Sequence, residues 1–208
     1  MIAGSPLPLR VVDGRELPAT HRSLLRPGEA LRTRDGEVHA LPRFFYEVAS
    51  WQAALDAELT PHFGLWEFME VDVREPPPLR VFPRYVPCAV TTIAAALEVM
   101  RLDVGAQVRV AANGGYRSPA HEGSRSGSAH CWGTAANIYR IGTDMLDTQD
   151  RIERYAAVVR RLLPFAWIRP YGSDRGYADD HLHVDLGYLT AVPQGASELD
   201  HDAAAHVR

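Results

Sequence analysis

The chain has 208 residues, 46% of them hydrophobic and 23% charged, with a formal net charge of −4. That length suits one domain with at most a small addition, and a chain of this size buries enough surface to fold without covalent staples. The charge balance excludes an electrostatically driven nucleic-acid binder, and no apolar run approaches the roughly 18 residues a membrane span requires. The two cysteines, Cys88 and Cys131, are too few for a disulfide-framed domain. The opening MIAGSPLPLRVVDG has neither a basic nor an apolar leader segment. As written the chain is expected to be cytoplasmic, or extracellular if a leader has been removed.

In chain order, LRVVDGREL and LRTRDGEVH each place Asp-Gly between extended residues, which predicts two short hairpins within residues 1–40. FFYEVASWQAALDAELT has helical apolar spacing and predicts a helix over 46–59. The three prolines of REPPP predict an extended connector. VPCAVTTIAAALEVMRL predicts a buried helix, and QVRVAAN a strand through the alternation of Val108, Val110 and Ala112. Glycine, serine and proline crowd residues 114–128, marking a long irregular loop of the kind that is often functional in compact domains. TAANIYRI reads as a strand, TQDRIERYAAVVRRLL as an amphipathic helix capped by Thr148 or Asp147, and FAWIR and HLHVDLGY as further short strands. The fold class is therefore α+β, with a small, largely antiparallel sheet flanked by helices. The expected organisation is an extension over residues 1–60, a main domain over 61–190 and a flexible tail over 191–208.

Two segments concentrate potential metal ligands and anion-binding groups. One is GGYRSP leading to SAHCWGTAAN, and the other is DDHLHVD. The period of two in a strand puts His181, His183 and Asp185 on one face, opposite Leu182, Val184 and Leu186. A face that polar must meet water, a partner or a metal. A single histidine is more often a hydrogen-bonded structural residue than a ligand, and GGYRSP alone could be only a turn. The two segments together outweigh those readings.

The run NGGYRSPAH…GSAHCWGTAAN, followed by DDHLH, closely resembles the zinc D-alanyl-D-alanine carboxypeptidase family, which shares its fold with cell-wall endolysins and the hedgehog signalling domain. The resemblance covers residues 62–187 and leaves the first sixty outside it. It implies a hedgehog/DD-peptidase-like fold and one zinc ion. It implies a peptidase acting on peptidoglycan stem peptides or D-Ala-D-Ala-type dipeptides. Carried over by position, His130, Asn137 and His183 fall at the three metal-ligand positions. Asp180, three before His183, falls at the general base. Arg117 falls at the arginine that meets the substrate's carbonyl or carboxylate, Ser128 at the motif serine near substrate, and His181 at a position that orients ligands or substrate.

One residue departs from the pattern: the family has aspartate where this chain has Asn137. A neutral amide oxygen brings no charge to offset a dication, so the expected metal is weakly held or a different divalent ion. Asn137 could still ligate through its oxygen, Asp185 or Asp179 could substitute, or Cys131 could be recruited. The last fits least, because neighbours on an extended segment point opposite ways. Two function classes follow: a metal-dependent hydrolase, or an inactive descendant that binds a peptide or cell-wall fragment.

Overall fold

The computed structural model describes residues 7, 9–33, 36–124, 127–174 and 177–192. In chain order the N-terminal half contains strand β1 (Arg10–Asp13), helix α1 (Ala19–Leu25), strands β2 (Ala30–Arg32), β3 (Val38–Ala40) and β4 (Phe44–Glu47), and helix α2 (Trp51–Asp56). Strands β5 (Glu58–Thr60) and β6 (Phe63–Gly64), helix α3 (Pro77–Val81), strand β7 (Tyr85–Pro87) and helix α4 (Val90–Val104) follow. The C-terminal half contains strands β8 (Val108–Val110), β9 (Ala135–Ile141) and β10 (Asp144–Met145), helix α5 (Gln149–Leu162), and strands β11 (Trp167–Ile168) and β12 (Leu182–Asp185).

Every described ladder is antiparallel, so the α+β class with small antiparallel sheets holds. The sheet that carries the candidate site has the order β10-β9-β12-β11, with β8 pairing on the other side of β9. A second sheet, β1-β4-β7, joins residues from both sides of position 60. One apolar core likewise unites Leu17, Leu25 and Phe45 with Ile93, Leu97, Ile138 and Val184. The N-terminal segment is thus packed into the same core as the rest, and β4 ties its strands to β7. The expected tail lies outside the described residues from 193 onward. No described helix is long and apolar enough to cross a membrane.

The helix and strand expectations from residue 85 onward match α4, β8, β9, α5, β11 and β12. Helix α4 ends where Gly105 takes φ +61, a left-handed cap that glycine adopts without penalty. Helix α5 buries Ile152, Ala156 and Val159 and turns its arginines to water. Thr148 does stand at its N-cap, although its hydroxyl makes no capping bond.

Three expectations upstream are corrected. LRVVDGREL does not form a hairpin; β1 runs into a 3-10 turn over Gly14–Glu16 and pairs with β4 instead. Asp13 caps that turn by accepting from the Arg15 amide at 3.0 Å, and its carboxylate also meets Arg43 at 2.7 Å. A carboxylate so engaged makes Asp-Gly a helix-start signal rather than a strand reversal. The second hairpin is present as β2–β3, with its Arg34-Asp35 tip outside the described residues. The helix expected over 46–59 is shorter: Tyr46 and Glu47 belong to β4, Ser50 caps α2 by accepting from Ala53 N at 3.1 Å, and Glu58–Thr60 form β5. The apolar period there was shared by strand and helix, and the sheet pairing prevailed. Finally, REPPP opens a helix: Pro76 is the N-cap of α3, and Pro77 and Pro78 occupy its first turn, where a missing N–H costs nothing.

Candidate metal and substrate site

The sheet register builds the centre of the site. Asn137 on β9 lies directly opposite His183 on β12, and His183 Nδ1 is 2.8 Å from Asn137 Oδ1. An amide oxygen only accepts, so His183 donates there and its Nε2 keeps the lone pair. Asp185, two residues along the strand, puts Oδ2 3.6 Å from that Nε2. This is beyond hydrogen-bond range, so the carboxylate acts on the ring as a nearby charge.

His130 arrives from the 3-10 turn Ala129–Trp132, with its ring centroid 5.2 Å from that of His183. Its Nδ1 donates to Gly115 O at 2.6 Å, which fixes the tautomer and leaves Nε2 buried without a partner among the described residues. The two halves of the motif hold one another, since Arg117 N donates to His130 O at 3.2 Å. Glu75 braces the first half from below, accepting from Ser118 N and Ser118 Oγ, both at 2.7 Å. Trp132 braces the second, donating Nε1–H to Ala40 O at 2.8 Å.

Arg117 donates Nε–H to Asn113 O at 2.8 Å, and its terminal nitrogens make no hydrogen bond among the described residues. Burial, with Arg74 and Arg169 nearby, pushes its pKa down to about 10, which still leaves it charged at neutral pH. A mostly buried guanidinium with open donors is an anion-binding group. Asn113, which carries it, is tied to Asp72 through Nδ2 at 2.8 Å, and Asp72 also meets the buried His121 at 3.1 Å.

His181 lies at the edge of this cluster, within electrostatic reach of Arg117, Arg169 and His183. Its Nδ1 meets Asp180 Oδ1 at 2.5 Å, and its Nε2 is buried without a partner among the described residues. Burial lowers its pKa, with Asp180 opposing, so the ring is neutral and Nε2 is a potential proton acceptor. The Asp180 side chain itself is 79% exposed. The structure therefore joins Asp180 to the site through His181, and no described contact puts its carboxylate against His130, Asn137 or His183. Ser128 is the N-cap residue of the 3-10 turn, and its carbonyl accepts from Cys131 N at 2.8 Å while its hydroxyl makes no capping bond.

Of the alternative ligands weighed from the sequence, Cys131 is turned away. Its thiol faces Ser118 O, and burial pushes its pKa up to about 12, so it is no thiolate at neutral pH. Cys88 and Cys131 are both free and buried. Among the described residues, no group of three His, Cys, Asp or Glu side chains is placed to hold a metal ion. Any such set here must count the amide of Asn137.

The donors suit a metal ion in kind. Two imidazole rings and an amide oxygen lie together, and the His130 ring has a second-nitrogen partner of the sort that metal-binding histidines use, Gly115 O. For His183 to bind an ion beside Asn137, its proton must move from Nδ1 to Nε2, towards Asp185. The charge suits it less well, because the donors are neutral and Arg117 and Arg169 both act on His130 and its surroundings.

Sequence reasoning missed Arg169. Its backbone N–H donates to His183 O at 3.3 Å, extending the β11–β12 ladder by one residue and creating a row of Asn137, His183 and Arg169 across three strands. Cross-strand neighbours share a face. Only the register reveals this, because FAWIR gives no sign of which partner residue Arg169 will oppose.

The site also predicts acid sensitivity. Burial pushes the pKa of His183 from 6.5 down to about 4, with Asp185 opposing and Arg169 assisting. Between those values the unfolded chain binds the proton and the folded one does not. Stability of the metal-free protein is therefore intact above pH 6.5 and lost as pH falls towards 4. At roughly 1.4 kcal/mol per pH unit the expected loss is about 3 kcal/mol. Urea unfolding across this range checks it, with His183→Gln expected to flatten the slope; a wild-type curve that is already flat would refute the assignment.

Compared with known proteins, the chain matches no family model, no curated protein and no solved structure.

Proposed function

We propose that the chain is a zinc-dependent peptidase with a hedgehog/DD-peptidase-like fold, acting on peptidoglycan stem peptides or D-Ala-D-Ala-type dipeptides. The observation that carries this reading is the buried, partnerless Nε2 of His130 beside His183 and Asn137. A buried nitrogen lone pair left unmatched is costly, and a Lewis acid held by the three side chains would satisfy it. Zinc at that position would polarise the scissile carbonyl and make water acidic enough to attack at neutral pH.

The chain's own groups supply the rest. Arg117 offers its planar donor fork to the substrate's carboxylate or to the oxygen that gains charge. His181, held by Asp180 through Nδ1, accepts a proton at Nε2 and returns it to the leaving amine. Asp180 thereby acts by orienting His181 and stabilising its charged form, and Ser128 lies at the substrate edge.

Metal analysis of protein purified without added zinc, followed by a D-Ala-D-Ala cleavage assay with zinc restored, tests the proposal. One bound equivalent and zinc-dependent release of D-alanine are expected; metal-free protein that neither takes up zinc nor cleaves the dipeptide would sink it. Arg117→Lys is expected to lower kcat/KM by about 10- to 100-fold, the consequence of losing a charge-assisted two-pronged contact. Unchanged kcat and KM in that variant would remove Arg117 from the role.

A second reading has its own observation. The Asn137–His183 hydrogen bond satisfies both groups without an ion, as suits an inactive descendant that uses Arg117 to bind a peptide or cell-wall fragment. Tight peptide binding without cleavage, unaffected by a chelator, would favour it.

A further inference from the structure

Away from the histidine centre, β8 faces the segment around residues 62–70 across a cleft of about 560 Å³. His62, Trp66, Glu67, Glu70, Arg109 and Tyr139 line it. A smaller cleft of about 260 Å³ adjoins, sharing His62 and Gln107 and reaching Arg101. The larger volume falls within the roughly 300–1,000 Å³ of typical small-ligand sites.

The lining is held in place. Trp66 is 38% exposed, and its indole lies against Gly64, where an added Cβ would sit 2.7 Å from the ring. Neither Trp66 nor Tyr139 has an aromatic partner among the described residues. His62 is pinned through Nδ1 to Glu98 at 2.6 Å, and Glu98 is fixed in turn by Thr60 at 2.8 Å. The ring's Nε2 makes no hydrogen bond among the described residues. Glu67 gives one oxygen to Gly64 N at 3.0 Å, and Arg109 meets Gln107 Oε1 at 3.2 Å.

The charges are balanced: Glu67 and Glu70 in this cleft are countered by Arg109 within it and by Arg101 from the adjoining cleft, and both arginines act on Glu67. A phosphorylated ligand would meet two carboxylates and a cationic one two guanidiniums. What suits such a cleft is an uncharged ring with an apolar face for the indole and hydroxyls that both donate and accept.

We propose that this cleft binds the sugar rings of a neutral oligosaccharide, stacked on Trp66 and hydrogen-bonded by Glu70, Gln107, Arg109 and His62. The cleft shares no lining residue with the histidine centre, and the proposal does not rest on the peptidase reading.

Calorimetric titration of the full chain in a chelator, with chitotetraose and maltotetraose as probes, tests this independently of any metal. The wild type is expected to bind at least one of them. Trp66→Ala is expected to weaken binding by about tenfold or more, and Glu70→Gln by several-fold at an unchanged Tm. Glu70→Gln guards against a Trp66 variant that fails to fold, since Glu70 is exposed and only its backbone carbonyl is engaged, by Asn113. No binding of either sugar by the wild type, or binding that survives both substitutions, overturns the proposal. So does a short peptide that binds there when neither sugar does, which would make the cleft a strand-edge peptide groove.

Discussion

Asn137→Asp is expected to tighten zinc binding and to raise dipeptide turnover together. The side chain is 8% exposed and sits 2.8 Å from His183 Nδ1, so a carboxylate there would face the ion with little solvent to screen it. It would also oppose the positive potential that Arg117 and Arg169 exert on His130. Without zinc the variant should be no more stable than the wild type, because the desolvated carboxylate gains only His183 as a partner. With zinc at about 100 times the dissociation constant, mass action adds about 2.7 kcal/mol. For a chain of this length that raises Tm by on the order of 5–10 °C. Zinc titrations of both proteins, followed by melting and by D-alanine release, separate three outcomes. Tighter zinc with higher turnover supports the enzyme. Tighter zinc without turnover supports the binding descendant. Equal zinc affinity in the two proteins would show that the amide is already a full ligand, and that the charge argument fails.

Gly115→Ala is expected to be the most damaging single methyl in the chain's site. An added Cβ would lie 2.5 Å from Phe68 Cα and 2.6 Å from Phe68 O, and that backbone cannot retreat because Phe68 is fully buried. The close approach exists because Tyr116 N donates to Phe68 O at 2.9 Å. Overpacking of this kind costs roughly 1–3 kcal/mol or more, a large part of a domain's net stability. The same peptide carries the carbonyl that holds His130, so the zinc response should weaken as well as the fold. Melting curves with and without zinc provide the measurement. A variant with wild-type Tm and a wild-type zinc shift would show that the loop yields freely and does not position His130.

Much of the candidate site was legible because its signals are local. Gly114, Gly115 and Arg117 sit within four residues, and the His-x-His alternation of 181 and 183 declares a polar strand face by its period alone. The helices α4 and α5 were equally plain, one from its alanine-rich apolar run and the other from a one-sided apolar stripe. Upstream, where short strands and a six-residue helix alternate, apolar spacing could not separate β4 from α2, and REPPP misled because a proline run both breaks a helix and begins one.

The sequence by itself determined the α+β class and the antiparallel character of the C-terminal strands, and its family resemblance picked out His130, Asn137, His183 and Arg117 as the residues to watch. Only the tertiary structure decided that Asn137 and His183 are cross-strand partners, that Arg169 completes their row, and that Asp180 reaches the site through His181. Periodicity and turn chemistry act over a few residues and are written along the chain. Register, burial and the partnering of a lone nitrogen depend on which distant segments the core brings together, and those energies belong to pairs of segments rather than to either one.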